Sequence, residues 1–467
     1  MTRGECVAGE RSGGLAELSS ESVEATPIAD SSTLLGLLQR GRGKGHRDLL
    51  AISDASAAEA LVECVTNDPR TDRQLESRDE YYGRCAFAID LDISPIETLL
   101  FASADHQDRN EDRTGLALST LGWMARLGRK DALAAVRRYV EVGWNWEWAI
   151  GDLAWPTPVG LDGLDEVVSS RCNSVEELAR AFPWHLDAAW AEWKRTNPRI
   201  AEAFALQREW RREHQERQRA LLELSTEELL VRREISALRH RTGTADKEIL
   251  HQAARGDVAQ VRHDALKVLG WQRDMNVFDA AEVELRRNPD ADWPPNAGSM
   301  ALWSLMKVAP IARVRRWLSE SGRPGELALR MVAMWPTEGD APLLRSALDD
   351  FADDDRLYNV CDAVDGLAKL RDRDAVPQLE LIFQKTTYSL LRHRAARALA
   401  ATSTTFAEGL AVECLWDCED QTRRVGCATS SWTSSDARQR LGELTADPLQ
   451  DRGIRSTAAR RLRALTV

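Results

Sequence analysis

Four tryptophans fall within the fifteen residues EVGWNWEWAIGDLAW (141–155): Trp144, Trp146, Trp148 and Trp155. A helix puts residues four apart on one face, so Trp148 and Asp152 would stand together. Such a cluster is either a stacking platform for a ligand or the packing face of a helix. The same spacing makes Trp144 a neighbour of Trp148 and turns Trp146 away, while Trp155, ahead of Pro156, closes the helix. Other reactive sets are thinner. Cys414 and Cys418 share a helical face and Cys427 follows, but a zinc site takes about four ligands in ordered spacing and no histidine is near, so these read as buried free thiols. His240, His251 and His263 recur at roughly eleven-residue intervals, without the H-x-x-x-H or H-E-x-x-H pattern of a metal site, and read as surface or turn histidines. QRGRGKGHRD (39–48) is basic and glycine-bearing but lacks G-x-x-x-x-G-K-[ST]; it reads as a flexible approach to the first helices, with phosphate contact as the chemical alternative. DDFADDDR (349–356) lacks the glycine and closing glutamate of a calcium loop and reads as an acidic turn. G-x-S-x-G, Rossmann and kinase motifs are absent. The expectation is a non-catalytic protein with no cofactor and no metal.

Composition narrows the partners. The formal net charge of −12 over 467 residues argues against a chain devoted to nucleic acid or anionic membranes. No run approaches the roughly eighteen apolar residues of a membrane span. The opening residues, MTRGECVAGERSGGLAELSSESVEATPIADSS, have no signal-peptide core and read as a disordered leader over 1–32. Eight scattered cysteines in a long chain fit a reduced, cytoplasmic protein.

The elements that would position these side chains come from self-similarity. LRHRAARALAA (391–401), RRVGCATSSW (423–432) and IRSTAARRLRAL (454–465) align on Arg392, Arg423 or Arg424, and Arg455, about 31 residues apart. Earlier copies begin at Tyr358, Glu326, Ala297 and Val261, which makes seven units over 245–467. Small or apolar residues recur every third or fourth position, as at Val261, Ala265, Val268, Leu269 and Trp271, the pattern of a helix with one buried face. A second apolar stretch lies between, opened by proline at Pro342 and Pro377, where a helix start tolerates it. The phase continues at His46, Gly83, Arg113 and Trp146.

These helix pairs resemble the HEAT-repeat family, including its short bacterial HEAT-like units. The residues that carry the resemblance are an Asp followed by an Arg ahead of a small-residue helix: Asp257 with Arg262, Asp420 with Arg424, and Asp451 with Arg455. The resemblance covers 45–155 and 245–467. It implies an all-α solenoid in which the Asp and Arg support packing between neighbouring repeats, with a concave surface for partners. Trp123, Trp271, Trp335 and Trp432 close second helices, so the recurring aromatic reads as a core position between units, and Trp148 with them. A separate resemblance is to the HEAT-like alkylpurine DNA glycosylases, which carry a Trp and an Asp four apart, as Trp148 and Asp152 are here. It implies that the pair meets a cationic damaged base.

Residues 156–244 break the period. They carry Trp184, Trp190 and Trp193, then a charged stretch without proline or glycine from Arg199 to Thr242, rich in helix formers. Ser225 and Glu228 spell a capping box between two helices. From Lys194 to Arg241 there are twelve Lys or Arg and eight Asp or Glu, a mildly basic segment in an acidic chain. The domains expected are thus a leader (1–32), N-terminal repeats (33–155), a Trp-rich long-helix insertion (156–244) and C-terminal repeats (245–467). The function expected is a protein-interaction scaffold, adaptor or regulator. It would hold a protein with a basic surface through the concave face and through Trp184, Trp190, Trp193, Trp210, Arg211 and Arg212. The alternative is a nucleic-acid-binding HEAT protein.

Overall fold

The computed structural model describes residues 28–52, 54–68, 78–102, 111–155, 157–182, 190–287, 297–320, 322–352, 356–431 and 433–465. Helix accounts for 76% and no strand is present among the described residues, so the fold class is all-α. No helix is long and apolar enough to cross a membrane among them.

The first block contains α1 (Leu34–Gln39), α2 (Gly43–Ile52), α3 (Ala55–Thr66), α4 (Arg78–Ala88), α5 (Ser94–Leu100), α6 (Glu111–Arg126), α7 (Lys130–Val142), α8 (Trp146–Ala154), α9 (Asp165–Arg171), α10 (Val175–Ala181), α11 (Ala191–Thr196) and α12 (Pro198–Glu223). One hydrophobic cluster runs through it from Leu38 to Phe204. Helix α12, 26 residues long, opens on Pro198 with Asn197 accepting from the Arg199 and Ile200 N–H groups. Its first half is buried at Ile200, Ala203, Phe204 and Gln207, and Leu221 near its end joins the next cluster.

The second block contains α13 (Thr226–Arg232), α14 (Ile235–Leu238), α15 (Thr244–Arg255), α16 (Ala259–Trp271), α17 (Phe278–Arg287), α18 (Ala297–Ser304), α19 (Ile311–Val314), α20 (Arg323–Met334), α21 (Ala341–Ser346), α22 (Leu357–Leu370), α23 (Val376–Lys385), α24 (Ser389–Thr402), α25 (Leu410–Cys414), α26 (Asp420–Thr429), α27 (Ser435–Ala446) and α28 (Arg452–Leu465). The Ser225–Glu228 capping box forms: the Glu228 N–H donates to Ser225 Oγ at 3.2 Å, and the Ser225 N–H to Glu228 Oε2 at 2.8 Å. Pro342 and Pro377 stand in the first turns of α21 and α23.

Alternate helices pack on one another. In the second block α16 meets α18, α18 meets α20, and so on through α22, α24, α26 and α28; in the first, α4 meets α6 and α6 meets α8. Gly270 on α16 permits one such approach, since a Cβ there would lie 2.7 Å from the Ala301 Cα of α18. Arginines bridge neighbouring helical segments: Arg262 to Glu284 (2.8 Å), Arg315 to Asp340 (2.9 Å), Arg330 to Asp362 (2.6 Å), Arg345 to Asp372 (2.8 Å) and Arg424 to Asp451 (3.0 Å). Of the Asp–Arg pairs quoted above, Asp451 pairs with the preceding Arg424, while Asp257 offers Arg262 only its backbone carbonyl, at 3.3 Å.

The glycine-bearing run 39–48 departs from its reading as a flexible approach. Gln39, Arg40, Arg42 and His46 are buried, because the turn between α1 and α2 docks on the far end of the chain. The Cys418 N–H donates to the Gly41 carbonyl at 2.9 Å, and Arg40 Nε donates to the Lys385 carbonyl at 2.9 Å. Arg42 makes a two-armed pair with Glu413, both bonds 2.9 Å, across 371 residues of sequence. Gly41 has φ +63, and a Cβ on Gly43 would lie 1.9 Å from the Glu413 carbonyl oxygen, so glycine is required for the approach. The same junction holds Arg423–Glu80 (3.2 Å), Arg84–Asp447 (2.7 Å), Arg47–Asp436 (2.8 Å) and the fully buried Arg392–Asp417 pair (2.7 Å). Burial opposes ionisation of Glu80, but Arg423 and Arg84 outweigh it and hold its carboxyl below the ordinary glutamate value. The two ends of the helical chain therefore clasp each other.

Candidate functional site

The tryptophans of 141–155 divide differently from the spacing argument. Trp146 is buried at 7% exposure, on the same face as Ala149, Ile150 and Leu153. Trp144, Trp148 and Trp155 are exposed, at 60%, 36% and 46%. The core reading thus fails for Trp148 and belongs to Trp146. The apolar stripe three, four and seven residues on selects Trp146, whereas Trp148 is followed at the same steps by Gly151, Asp152 and Trp155. Trp148 lies over Gly115 of α6. Both Asp152 oxygens accept from Ser119 Oγ, at 2.9 and 3.0 Å.

In the middle of the chain, Trp184 lies outside the described residues. Trp190 and Trp193 are buried, at 0% and 3% exposure, their centroids 5.1 Å apart beside Phe182. The Trp193 indole N–H donates to the Leu161 carbonyl at 3.2 Å. Their apolar area is consumed inside the first block and is not on offer to a partner. Trp210 is half-buried with Arg180 5.8 Å from its ring centroid, Arg211 is half-buried, and Arg212 is exposed between Glu209 and Glu216.

Cys414, Cys418 and Cys427 are buried free thiols, and burial pushes the Cys427 thiol up to about 11. No group of three metal-ligating side chains occurs among the described residues. His240 is exposed; His251 pairs with Asp274 at 3.2 Å and His263 with Glu284 at 2.7 Å. Within 349–356, Asp349 accepts from Gln378 and Asp350 pairs with Arg356 at 3.0 Å.

What the spacing argument passed over is a groove. Trp271, Trp303 and Trp335 recur at intervals of 32 residues, each at or next to the C-terminal end of α16, α18 or α20. They are not core: Trp271 is half-buried, and Trp303 and Trp335 are 41% and 52% exposed. Each comes after the last buried residues of its helix, where the chain is leaving the stack. Trp271 and Trp303, with Tyr358 on α22, 50% exposed, border two adjoining cavities of about 310 and 420 Å³, whereas Trp335 lines neither. Trp303, Met306 and Met334 line both.

The larger cavity is internally wired. The Arg330 guanidinium lies 3.9 Å from the Trp303 ring centroid and donates to Asp362 at 2.6 Å. Arg394 reaches Asp362 at 3.3 Å and Asp365 at 2.8 Å. Lys369 donates to the Ala333 and Met334 carbonyls at 3.1 and 2.9 Å, and burial holds its ammonium below the ordinary lysine value. The smaller cavity is lined by Arg239, Arg273 and Lys307, all exposed, and none has a carboxylate within ion-pair distance among the described residues. Arg239 lies 5.5 Å from the Trp271 ring centroid. Arg273 stands at φ +56 in a Schellman ending, its N–H donating to the Gly270 carbonyl and that of Asp274 to the Leu269 carbonyl, a place that favours glycine. Chemically, the groove offers indole faces, two adaptable thioethers and a cationic rim. It holds no nucleophile paired with a base.

No family model matches this chain, and no curated protein sequence matches it.

Proposed function

We propose that this chain is a HEAT-like helical solenoid that holds another protein without catalysing a reaction, and that the groove bordered by Trp271, Trp303 and Tyr358 is where it does so. One observation carries the reading: large aromatic side chains at one phase of successive stacked helices are left exposed around preformed cavities. Exposed aromatic rows rimmed by polar groups mark interaction surfaces. The alternating packing of helices and the arginine bridges between them support the solenoid.

Affinity capture from the protein's own cells tests it, comparing the intact wild type with the Trp303→Ala, Tyr358→Ala double variant and quantifying nucleic acid in each eluate. A stoichiometric protein captured by the wild type and lost from the variant supports the reading. Identical captures, or nucleic acid that leaves as salt rises, overturn it; the latter would favour a nucleic-acid site, with Trp148 and Asp152 next to be examined.

A further inference from the structure

We infer that the groove recognises an acidic peptide segment bearing an aromatic or long aliphatic side chain. This rests on the protein-holding reading above and names the partner's chemistry. Overall acidity favours a basic partner, but the groove reverses that sign locally. Arg239, Arg273 and Lys307 ring the smaller cavity without a carboxylate partner among the described residues. Arg330, Lys369 and Arg394 line the larger one against only Asp362 and Asp365.

Two features fix the pose. The shared lining of Trp303, Met306 and Met334 makes an apolar bridge between the cavities, and methionine adapts to varied side chains. An apolar side chain seated there leaves neighbouring carboxylates beside Arg273 and Lys307. The Trp303 wall is already held by Arg330, itself bonded to Asp362, so little ordering is needed on binding.

A short acidic segment fits better than a nucleic acid. Asp362 and Asp365 on the same surface, and a net charge of −12 on the chain, oppose a continuous polyanion beyond the few charges the rim can meet. Arg273 is exposed at the cavity rim.

The test uses the full chain and a dye-labelled random copolymer of glutamate and tyrosine, followed by fluorescence anisotropy at low and moderate salt. A lysine–tyrosine copolymer and an oligodeoxythymidine are run in parallel. The glutamate–tyrosine polymer is expected to bind, the lysine–tyrosine polymer not. The Arg273→Gly, Lys307→Gln double variant should weaken binding about tenfold, two rim charges' worth. Arg273→Gly alone should raise Tm while it weakens binding, which separates loss of the site from loss of the fold. Tighter binding of the lysine polymer or of the oligonucleotide overturns the inference, as does a glutamate–tyrosine affinity that the variants leave unchanged. If the acidic polymer fails to bind while capture from cells still depends on Trp303 and Tyr358, the acidic segment is refuted and the protein-holding reading stands. If both fail, the groove is not the site.

Discussion

Replacing Glu413 by glutamine tests whether the two ends of the chain hold each other. The substitution keeps shape and removes one charge. Arg42 would keep its bond to the Gln384 carbonyl at 3.2 Å but lose its counter-ion, in a place where the two side chains are only 7% and 10% exposed. Breaking a buried pair from one side costs about 3–5 kcal/mol, most of it the stranded charge. Replacing both partners, as Arg42→Met with Glu413→Leu, removes the stranded charge and should recover most of that loss. Urea unfolding of the wild type, Arg42→Met, Glu413→Leu and the double variant gives the coupling energy directly. Hydrogen exchange locates it: in Glu413→Gln, amides of α1 and α2 should lose protection along with those of α25, although 371 residues separate the paired side chains. A loss below about 1 kcal/mol, or deprotection of α25 with α1 and α2 untouched, would refute the clasp as a stabilising contact.

Other expectations follow from single sites. Burial, reinforced by Arg440, Arg84 and Arg423, lowers the His46 imidazole to about 3, so the folded protein keeps it neutral while the unfolded chain takes up a proton below its ordinary 6.5. Its stability is therefore whole above pH 6.5 and declines as pH falls toward 3, by up to about 1.4 kcal/mol per unit; His46→Leu should flatten that slope in unfolding curves taken at several pH values. Trp190→Ala should cost about 3–5 kcal/mol as a full burial lost, whereas Trp144→Ala, at a position 60% exposed, should stay within about 0.5 kcal/mol; comparable losses in chemical denaturation would contradict the burial described. Gly270→Ala should lower Tm despite alanine's better helix propensity, because its Cβ would crowd the Ala301 Cα at 2.7 Å; overpacking of about 1–3 kcal/mol outweighs a gain of about 1.

Features set by neighbouring residues were legible in the sequence. The proline starts at Pro342 and Pro377 and the Ser225–Glu228 box depend on residues within one turn, and they stand where the pattern puts them. The helix that Trp155 closes was legible too, but it begins only at Trp146, which leaves Trp144 in the connection from α7, and its face was misread. Pairing tryptophans with one another favoured Trp148, while the apolar stripe Ala149, Ile150 and Leu153 favoured Trp146. The spacing of Trp271 and Trp335 was legible but was read as core, and Trp303, midway between them, lines both cavities. Periodicity alone does not say whether a recurring aromatic points between helices or out from their ends. The burial of Trp190 and Trp193 depends on Phe182 and Phe204 closing over them. The clasp was beyond local reading: glycines and arginines at 40–45 look like a mobile basic loop until Glu413 and Cys418 are brought opposite them.

That clasp has an evolutionary consequence. An open helical array can gain or lose a repeat in its interior at little cost, because each unit touches only its neighbours. A chain whose first turn must meet Glu413, Cys418 and Lys385 obeys a periodic boundary condition. Inserting or deleting one helix pair would carry those partners out of reach of Arg40 and Arg42. Length changes that spare the clasp would therefore fall in the loops, with the number of helix pairs between α2 and α25 kept.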